Sequence, residues 1–170
     1  WTCLELGIAP ECEDWGGETR STAAASFLEL NPKGLVPVWI EDDFVLSESN
    51  TICRYLTTSA GRYDLLPQRP HLRGQVEAWM DWQATELNTA WRVAFMGRVR
   101  KHRDFQNDAA QESSVGACNA AMSLLDSHLE RSKRFVCGDD FTLADLVLAL
   151  STNRWELTPM SRPKLPSVTS

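Results

Sequence analysis

Two stretches of sequence decide the fold: residues 27–39, FLELNPKGLVPVW, and residues 44–56, FVLSESNTICRYL. In the first stretch, Pro37 stands near the start of a predicted strand, where its missing N–H restricts it to an edge or a special turn. A cis bond between Val36 and Pro37, which is uncommon in general, would turn the backbone N–H and C=O of Val36 outward. With such a bond, the first stretch would have a backbone free to pair with a peptide-like ligand.

The second stretch predicts a helix over residues 49–58 that begins next to an acidic side chain. Ser49 is a good N-cap, and Glu48 immediately precedes it. A helix N-terminus attracts carboxylates, and an acidic side chain beside it pairs with an ammonium group. Glu48 and Ser49 are thus the residue types that hold both charges of an amino-acid head group. An ordinary capped helix with a solvated glutamate is the alternative interpretation.

Around these stretches, residues 1–60 are predicted to form a mixed α/β domain of short elements. A first helix ends near Gly7, because glycine suits a left-handed stop and Pro10 follows shortly after. The pattern further predicts strands at 11–15, 36–40 and 44–46, a turn at 41–43 and a helix at 21–30.

A linker is predicted at residues 61–70, which carry glycine and prolines among polar residues. Residues 71–170 are predicted to be all-helical. Apolar residues recur at three- or four-residue spacing from 76 to 95 and from 115 to 129, and residues 143–150 are apolar almost all round, as in a buried helix. Thr142 and Asp145 have the spacing of a short capping box, which we interpret as structural. Core positions are favoured over a pocket lining for the large aromatic residues Trp79, Trp82, Trp91 and Phe95.

The composition restricts the classes of function. The 170 residues are 43% hydrophobic and 24% charged with a net charge of −6, which indicates a globular protein and argues against nucleic-acid binding. No apolar run approaches the roughly 20 residues that span a bilayer. Five cysteines without CxxC spacing and three scattered histidines do not indicate disulfides or a metal site. A cytoplasmic protein is therefore expected.

A basic run lies where the first long helix is predicted to end. Residues 98–103 contain Arg98, Arg100, Lys101, His102 and Arg103. A phosphate-binding patch is one interpretation, and cations that complement a helix C-terminus are the other. The second interpretation is favoured, because no glycine-rich phosphate loop accompanies the run.

The pattern NPxGxVP, followed after about ten residues by ES and an apolar helix, resembles the thioredoxin-like domain of the glutathione transferases. The resemblance continues upstream through residues 4–8 and across the helical half. It implies an incomplete thioredoxin-like domain at 1–60, with its first strand missing, followed by a helical bundle. It also implies that the Val36–Pro37 bond is cis, that the Val36 backbone pairs with the cysteinyl part of glutathione, and that Glu48 and Ser49 hold the γ-glutamyl ammonium and carboxylate.

A second resemblance lies in residues 81–88, DWQATELN, which are similar to the helix that lines the active site in bacterial beta-type transferases. There an amide side chain at the position of Asp81 contacts glutathione of the neighbouring subunit, and a histidine at the position of Asn88 lies near the thiol. This chain departs from that pattern at both positions. Because they lie on the helix that corresponds to the active-site helix, Asp81, Thr85 and Asn88 are candidates for a pocket or a neighbour-subunit contact.

The family resemblance implies a cytoplasmic, homodimeric detoxification enzyme that uses glutathione as a substrate and conjugates its thiol to an apolar electrophile. In the family, a Tyr, Ser or Cys after the first strand activates the thiol, and this residue is expected upstream of Trp1; a final helix is expected beyond residue 170. A non-catalytic interaction module is one alternative. A glutathione-dependent reductase or isomerase on the same fold is the other.

Overall fold

The structure, a computed structural model, describes residues 1–17, 19–132 and 134–169. The chain forms two compact units, Trp1–Leu66 and Pro67–Ser170. The first unit contains short helices and a two-stranded sheet, and the named elements in the described part of the second are all helical. This order is the predicted fold class.

In the part of the first unit that the structure describes, there are five short elements. Its α1 ends at Gly7, whose φ of 68° confirms the predicted left-handed stop. The helix predicted at 21–30 begins only at Ala25. The strand predicted at 36–40 begins two residues later, at Val38, and both hairpin strands end one residue beyond the predicted ends. In chain order the elements are α1 (Thr2–Leu6), α2 (Ala25–Leu30), β1 (Val38–Glu41), β2 (Phe44–Ser47) and α3 (Ser49–Ser59).

The strand predicted at 11–15 is wrong. Within that segment only Trp15 makes a β-bridge, a single parallel pair with Arg20. The Glu13 carboxylate accepts hydrogen bonds from the Trp15 indole at 3.2 Å and the Arg20 guanidinium at 2.8 Å. Side-chain contacts, not a ladder of backbone hydrogen bonds, therefore hold this segment.

The buried apolar residues of the first unit come from both of its later helices. They include Phe27 of α2 and Ile52 and Leu56 of α3. Helix α1 packs on α3, where the Thr2 hydroxyl donates to the Cys53 sulfur at 3.1 Å. Leu65 and Leu66 are also buried, so the predicted linker at 61–70 begins as packed chain.

The second unit contains two long helical segments and a shorter helix. The first segment is continuous but changes its winding, because a π-helical turn separates two α-helices. Such turns are rare and occur mostly as single insertions inside α-helices. The elements are α4 (Pro70–Trp82), the π-helical turn Gln83–Leu87, α5 (Asn88–Arg98), a 3₁₀ turn Arg103–Phe105, α6 (Asp108–Ser132) and α7 (Leu143–Leu157).

The close approach of α5 to the start of α6 depends on Gly97. A Cβ atom at this position would lie 2.3 Å from the Gln111 amide nitrogen and 2.4 Å from the Phe105 carbonyl oxygen. The core that these helices share is apolar and follows the predicted spacing. Its buried members include Val76, Met80, Leu87, Ala94, Val115, Cys118, Met122, Leu125, Leu143, Ala144 and Leu148.

The large aromatic residues of the first long segment are half-buried, which corrects the prediction of core positions. Trp79 packs edge-on against Trp82 with ring centroids 5.3 Å apart and also contacts the His128 ring at 4.6 Å. Smaller residues such as Met80 and Leu87 occupy the core instead. The wide indole rings cover the margin of the bundle, where one edge stays in contact with water.

The capping box at the start of α7 is confirmed. One Asp145 carboxylate oxygen accepts from the Thr142 N–H and hydroxyl, both at 2.9 Å, and the other accepts from the Val136 N–H at 2.8 Å. Asp145 thereby ties the preceding loop to a helix whose N-terminal half is buried. Among the described residues, no helix combines the length and the apolar character that crossing a membrane needs.

Candidate functional site

The hairpin register brings the two sequence motifs to one place. β1 and β2 are antiparallel, with Val38 facing Ser47. Pro37 directly precedes Val38 and Glu48 directly follows Ser47, so both lie at the same end of the sheet. The candidate site is therefore the open end of this hairpin, between the loop before β1 and the beginning of α3.

The loop before β1 is folded around Asn31, which sequence reasoning gave no separate role. Its side chain is buried and donates to the Leu35 carbonyl at 2.7 Å, while its backbone carbonyl accepts from Gly34 at 2.9 Å. Gly34 has a φ of 65°, and a Cβ there would lie 3.4 Å from the Thr22 carbonyl oxygen. The asparagine and glycine of the NPxG pattern thus fix the chain that leads to Val36.

The Val36–Pro37 peptide bond is cis, as the resemblance implied. Val36 is 53% exposed, and its backbone N–H and C=O have no hydrogen-bond partner among the described residues. Unpaired backbone groups beside a strand can pair with another peptide as an added strand does. The loop therefore presents one donor and one acceptor beside the hairpin.

Glu48, not Ser49, is the N-cap residue of α3, which corrects the predicted cap. Because β2 remains paired through Ser47, the chain must turn at Glu48, whose φ is 75° and ψ is 111°. Ser49 is the first helical residue, and no side chain in the described part of the chain caps this end. The first N–H groups of a helix have no partner inside it, so this end can accept a carboxylate.

Lys33 is the residue at this site that sequence reasoning missed. Its ammonium lies 2.6 Å from the Glu48 carboxylate, and both side chains are more than half exposed. The sequence contained a signal for this role, since a basic residue occupies the variable position of the NPxG turn, three residues before Val36. Its pairing with a residue fifteen positions later follows only from the folded loop.

The arrangement has a charge pattern that a tripeptide can match. Glu48 is one full negative charge, Lys33 is one full positive charge, and the helix N-terminus behind Ser49 carries about half a positive charge. A ligand with one ammonium and two carboxylates is complementary to this set. The backbone of Val36 adds a donor and an acceptor for a peptide unit between those charges.

The three candidates on the first long segment lie close together in sequence: Asp81 is at the end of α4, Thr85 is in the π-helical turn and Asn88 begins α5. The Thr85 hydroxyl donates to the backbone carbonyl of Asp81 at 2.8 Å, so the Thr85 side chain contacts the Asp81 backbone. The Asn88 side-chain oxygen accepts from the Gln83 amide at 3.3 Å and the Trp91 indole at 2.9 Å. The side-chain oxygen of Asn88 is thus hydrogen-bonded within the helical unit.

The thiols whose pKa values shift are poorly suited to act as nucleophiles. Burial raises the pKa of Cys53 above its ordinary value, against a smaller opposing effect of the Thr2 hydrogen bond. Burial also raises the pKa of Cys118 and of Cys137 to about 11. Since the thiolate is the reactive form, these side chains are largely unreactive at neutral pH.

All five cysteines are free thiols. Within the described ranges, no group of three or more His, Cys, Asp or Glu side chains is placed to hold a metal ion. Thr142 and Asp145 act in the structure of the helical unit through the capping contacts above.

Comparison with known families gives two matches that together span most of the chain. Residues 1–59 match the glutathione S-transferase N-terminal domain, and residues 83–166 match the glutathione S-transferase C-terminal domain. The chain is 40% identical over 150 residues to glutathione S-transferase GstB of Escherichia coli strain K12, covering 87% of this chain and 72% of that protein.

Two further relatives illustrate the range of the similarity. The crystal structure of a theta class glutathione S-transferase from Xanthomonas axonopodis pv. citri, with glutathione bound, superposes with a TM-score of 0.91 and is 28% identical; the match covers 99% of this chain and 81% of that one. Probable elongation factor 1-gamma 1 of Arabidopsis thaliana is 29% identical over 149 residues, which are 86% of this chain and 34% of that protein.

Proposed function

Because the chain belongs to the glutathione S-transferase family, we propose that it binds glutathione at the hairpin end and transfers the glutathione thiol to an apolar electrophile. In the reaction, the thiolate attacks the electrophilic carbon and a leaving group departs. Val36, Pro37, Glu48 and Ser49 hold the tripeptide. No residue among these four is assigned to activation of the thiol.

The register of Val38 with Ser47 is the observation that carries the proposal. It sets the unpaired Val36 backbone beside the Glu48 carboxylate and the uncapped beginning of α3. The Val36 N–H and C=O pair with the cysteinyl unit, Glu48 pairs with the γ-glutamyl ammonium, and the helix N-terminus at Ser49 receives the γ-glutamyl carboxylate. Lys33 then neutralises the remaining carboxylate of the tripeptide.

In the proposed complex Glu48 has two partners. One carboxylate oxygen accepts from Lys33. A carboxylate has two oxygens and about four lone-pair sites, so the ligand ammonium binds without displacing Lys33. The ion pair in turn keeps the Glu48 side chain directed toward the site before glutathione arrives, which reduces the entropy lost on binding.

The test of this function combines binding and turnover. Glutathione binding is measured by calorimetry, and conjugation is measured with 1-chloro-2,4-dinitrobenzene under saturating glutathione. We expect both binding and conjugation. Binding with reduction of a small disulfide but without conjugation supports the reductase alternative, and absence of binding refutes the proposed site.

The non-catalytic interaction module remains the second candidate function. The observation in its favour is the match to an elongation factor 1-gamma protein, of which this chain covers 34%. A module of that kind has no requirement for glutathione. The module is supported if the protein is folded and its melting temperature does not change with millimolar glutathione. A protein that binds glutathione should instead gain roughly 2.7 kcal/mol of stability when the ligand is at about 100 times its Kd.

The proposal includes a cytoplasmic homodimer and places Asp81, Thr85 and Asn88 in the second-substrate pocket or at the neighbouring subunit. Asp81 and Thr85 are exposed, which supports a contact outside their own helix. Sedimentation velocity tests the dimer. The pocket is tested by Thr85→Val, which keeps the side-chain volume but removes the hydroxyl; a changed KM for the electrophile at constant glutathione affinity supports this placement.

A further inference from the structure

Two arginines in the helical unit lie over two aromatic rings that touch each other. Trp91 and Phe95 are one turn apart on α5 and pack edge-to-face, with centroids 4.6 Å apart and planes at 89°. The Arg154 guanidinium carbon lies 5.2 Å from the Trp91 centroid, and that of Arg100 lies 5.6 Å from the Phe95 centroid. The rings thus collect two positive charges on one surface, although Arg154 belongs to α7 and Arg100 to the segment after α5.

These two charges are not neutralised within the described chain. Arg98, in the same basic run, forms an ion pair with Glu112. Among the residues that the structure describes, the guanidinium groups of Arg100 and Arg154 form no ion pair and no hydrogen bond. Burial lowers the pKa of Arg154, and the nearby charge of Arg100 lowers it further. Arg154 therefore sits half-buried beside a like charge.

The donors of both side chains are available to a ligand. Each guanidinium has five N–H donors in a planar fork that matches the oxygens of a phosphate or carboxylate. Two adjacent cations favour a dianion over a monoanion, since the Coulomb energy grows with the product of the charges. A phosphate monoester is such a dianion at neutral pH, because its second pKa is near 6.

Apolar side chains flank the same surface. Leu150 and Leu157 lie one helical turn before and after Arg154 on α7 and are 44% and 73% exposed. Residues at these spacings share one face of a helix. A ligand whose charged group meets Arg154 thus has apolar surface on either side of it, which favours an ester with an apolar body over the free inorganic ion.

We propose that Arg100 and Arg154, with Trp91, Phe95, Leu150 and Leu157, form a binding site for a phosphate monoester that carries an apolar group. The phosphate oxygens accept hydrogen bonds from both guanidinium groups, and the apolar group packs against the exposed leucines. All six residues lie in the helical unit, and none is assigned to glutathione. Arg100 lies beyond the end of α5, whose last turn contains Arg98 as its basic residue. The proposed site therefore gives Arg100 a role other than complementing the dipole of that helix.

Calorimetry with phenyl phosphate at low ionic strength and pH 7.5 tests the site. We expect Arg100→Gln and Arg154→Gln each to weaken binding by about tenfold, as expected for loss of one charged hydrogen-bonding partner. Arg92→Gln is the matched control, because Arg92 also lies on α5 and over an aromatic ring, that of Phe105. It should leave the affinity within about twofold, because its side chain lies over Phe105, which is not part of the proposed site, and its exposed charge is screened.

Ligand and site controls separate the alternatives. Inorganic phosphate lacks the apolar body and benzenesulfonate is a monoanion, so both should bind more weakly than phenyl phosphate. Lys33→Met should not change phenyl phosphate binding, which excludes the glutathione site as the source of the heat. No binding by the wild-type protein, or equal losses in Arg92→Gln and the two test variants, overturns the proposal. If Arg154→Gln does not fold, Arg100→Gln decides, because Arg100 is exposed.

Discussion

Lys33 lies 2.6 Å from Glu48 across fifteen residues of sequence, and this ion pair joins the loop before β1 to the beginning of α3. Both side chains are more than half exposed, so water screens the pair and its contribution to stability is small. Its significance lies in the placement of charge, because it sets a cation and an anion at one end of the hairpin before any ligand is present.

Replacement of this lysine tests its role in binding. Lys33→Met should change the free energy of unfolding by less than about 1 kcal/mol, as is usual for an exposed pair. Glutathione affinity should fall about tenfold, because one carboxylate of the tripeptide loses its charged partner. Arg20→Gln, which removes the cation of another exposed pair in the same unit, is the control in calorimetry. A gain in affinity would mean that Lys33 only competes for Glu48.

The backbone at Glu48 predicts opposite effects on stability and binding. With a φ of 75°, Glu48 adopts a conformation that glycine accepts more readily than other residues. Glu48→Gly should therefore unfold with a free energy about 1 kcal/mol higher than Glu48→Ala, which retains the backbone strain. Both variants should bind glutathione more weakly. Urea denaturation gives the comparison, and a Glu48→Gly variant less stable than Glu48→Ala would contradict it.

The loop around Gly34 should be sensitive to one added methyl group. Gly34→Ala places a Cβ 3.4 Å from the Thr22 carbonyl at a φ of 65°, so we expect a loss of about 1–2 kcal/mol. Glutathione affinity should fall with it, since the loop positions Val36. Gly74→Ala is the control, because Gly74 lies in α4 with open space around it. That change should raise the helix stability by up to about 1 kcal/mol.

The cap of α7 should matter for stability alone. Thr142→Ala should cost about 1 kcal/mol, the usual effect of a lost N-cap. Asp145→Ala should cost more, about 2–3 kcal/mol, because it also leaves the Val136 N–H without its acceptor. Glutathione affinity of the folded variants should stay unchanged. A selective loss of binding with an unchanged melting temperature would show that the box belongs to the site.

Much of this fold could be predicted because the apolar spacing is regular where helices are long. The face of α6 from Val115 to Leu125 and the capping box at Thr142 follow from local rules of period and hydrogen bonding. Residues 11–15 lack such a local determinant. A strand is predicted there, but a strand also needs a neighbour to pair with, and among the described residues only Trp15 of this segment has one.

The site could be predicted in its residue types but not in its arrangement. Val36, Pro37, Glu48 and Ser49 are candidates because of the motif that contains them. The position of Glu48 at the N-cap depends on how far β2 stays paired, which the register decides. The contact of Lys33 with Glu48 depends on the loop that Asn31 closes. Both are relationships between separate segments, which a local pattern does not contain.

Calorimetric titration of glutathione into the wild-type protein, Glu48→Ala and Glu29→Ala tests the central claim most directly. Glu29 is an exposed acidic residue of α2 in the same unit, so its variant removes the same charge elsewhere. We predict that Glu48→Ala binds at least about tenfold more weakly, because the ligand ammonium loses its partner, and that Glu29→Ala binds as the wild type does. Equal affinity of all three proteins would contradict the assignment of the hairpin end as the glutathione site.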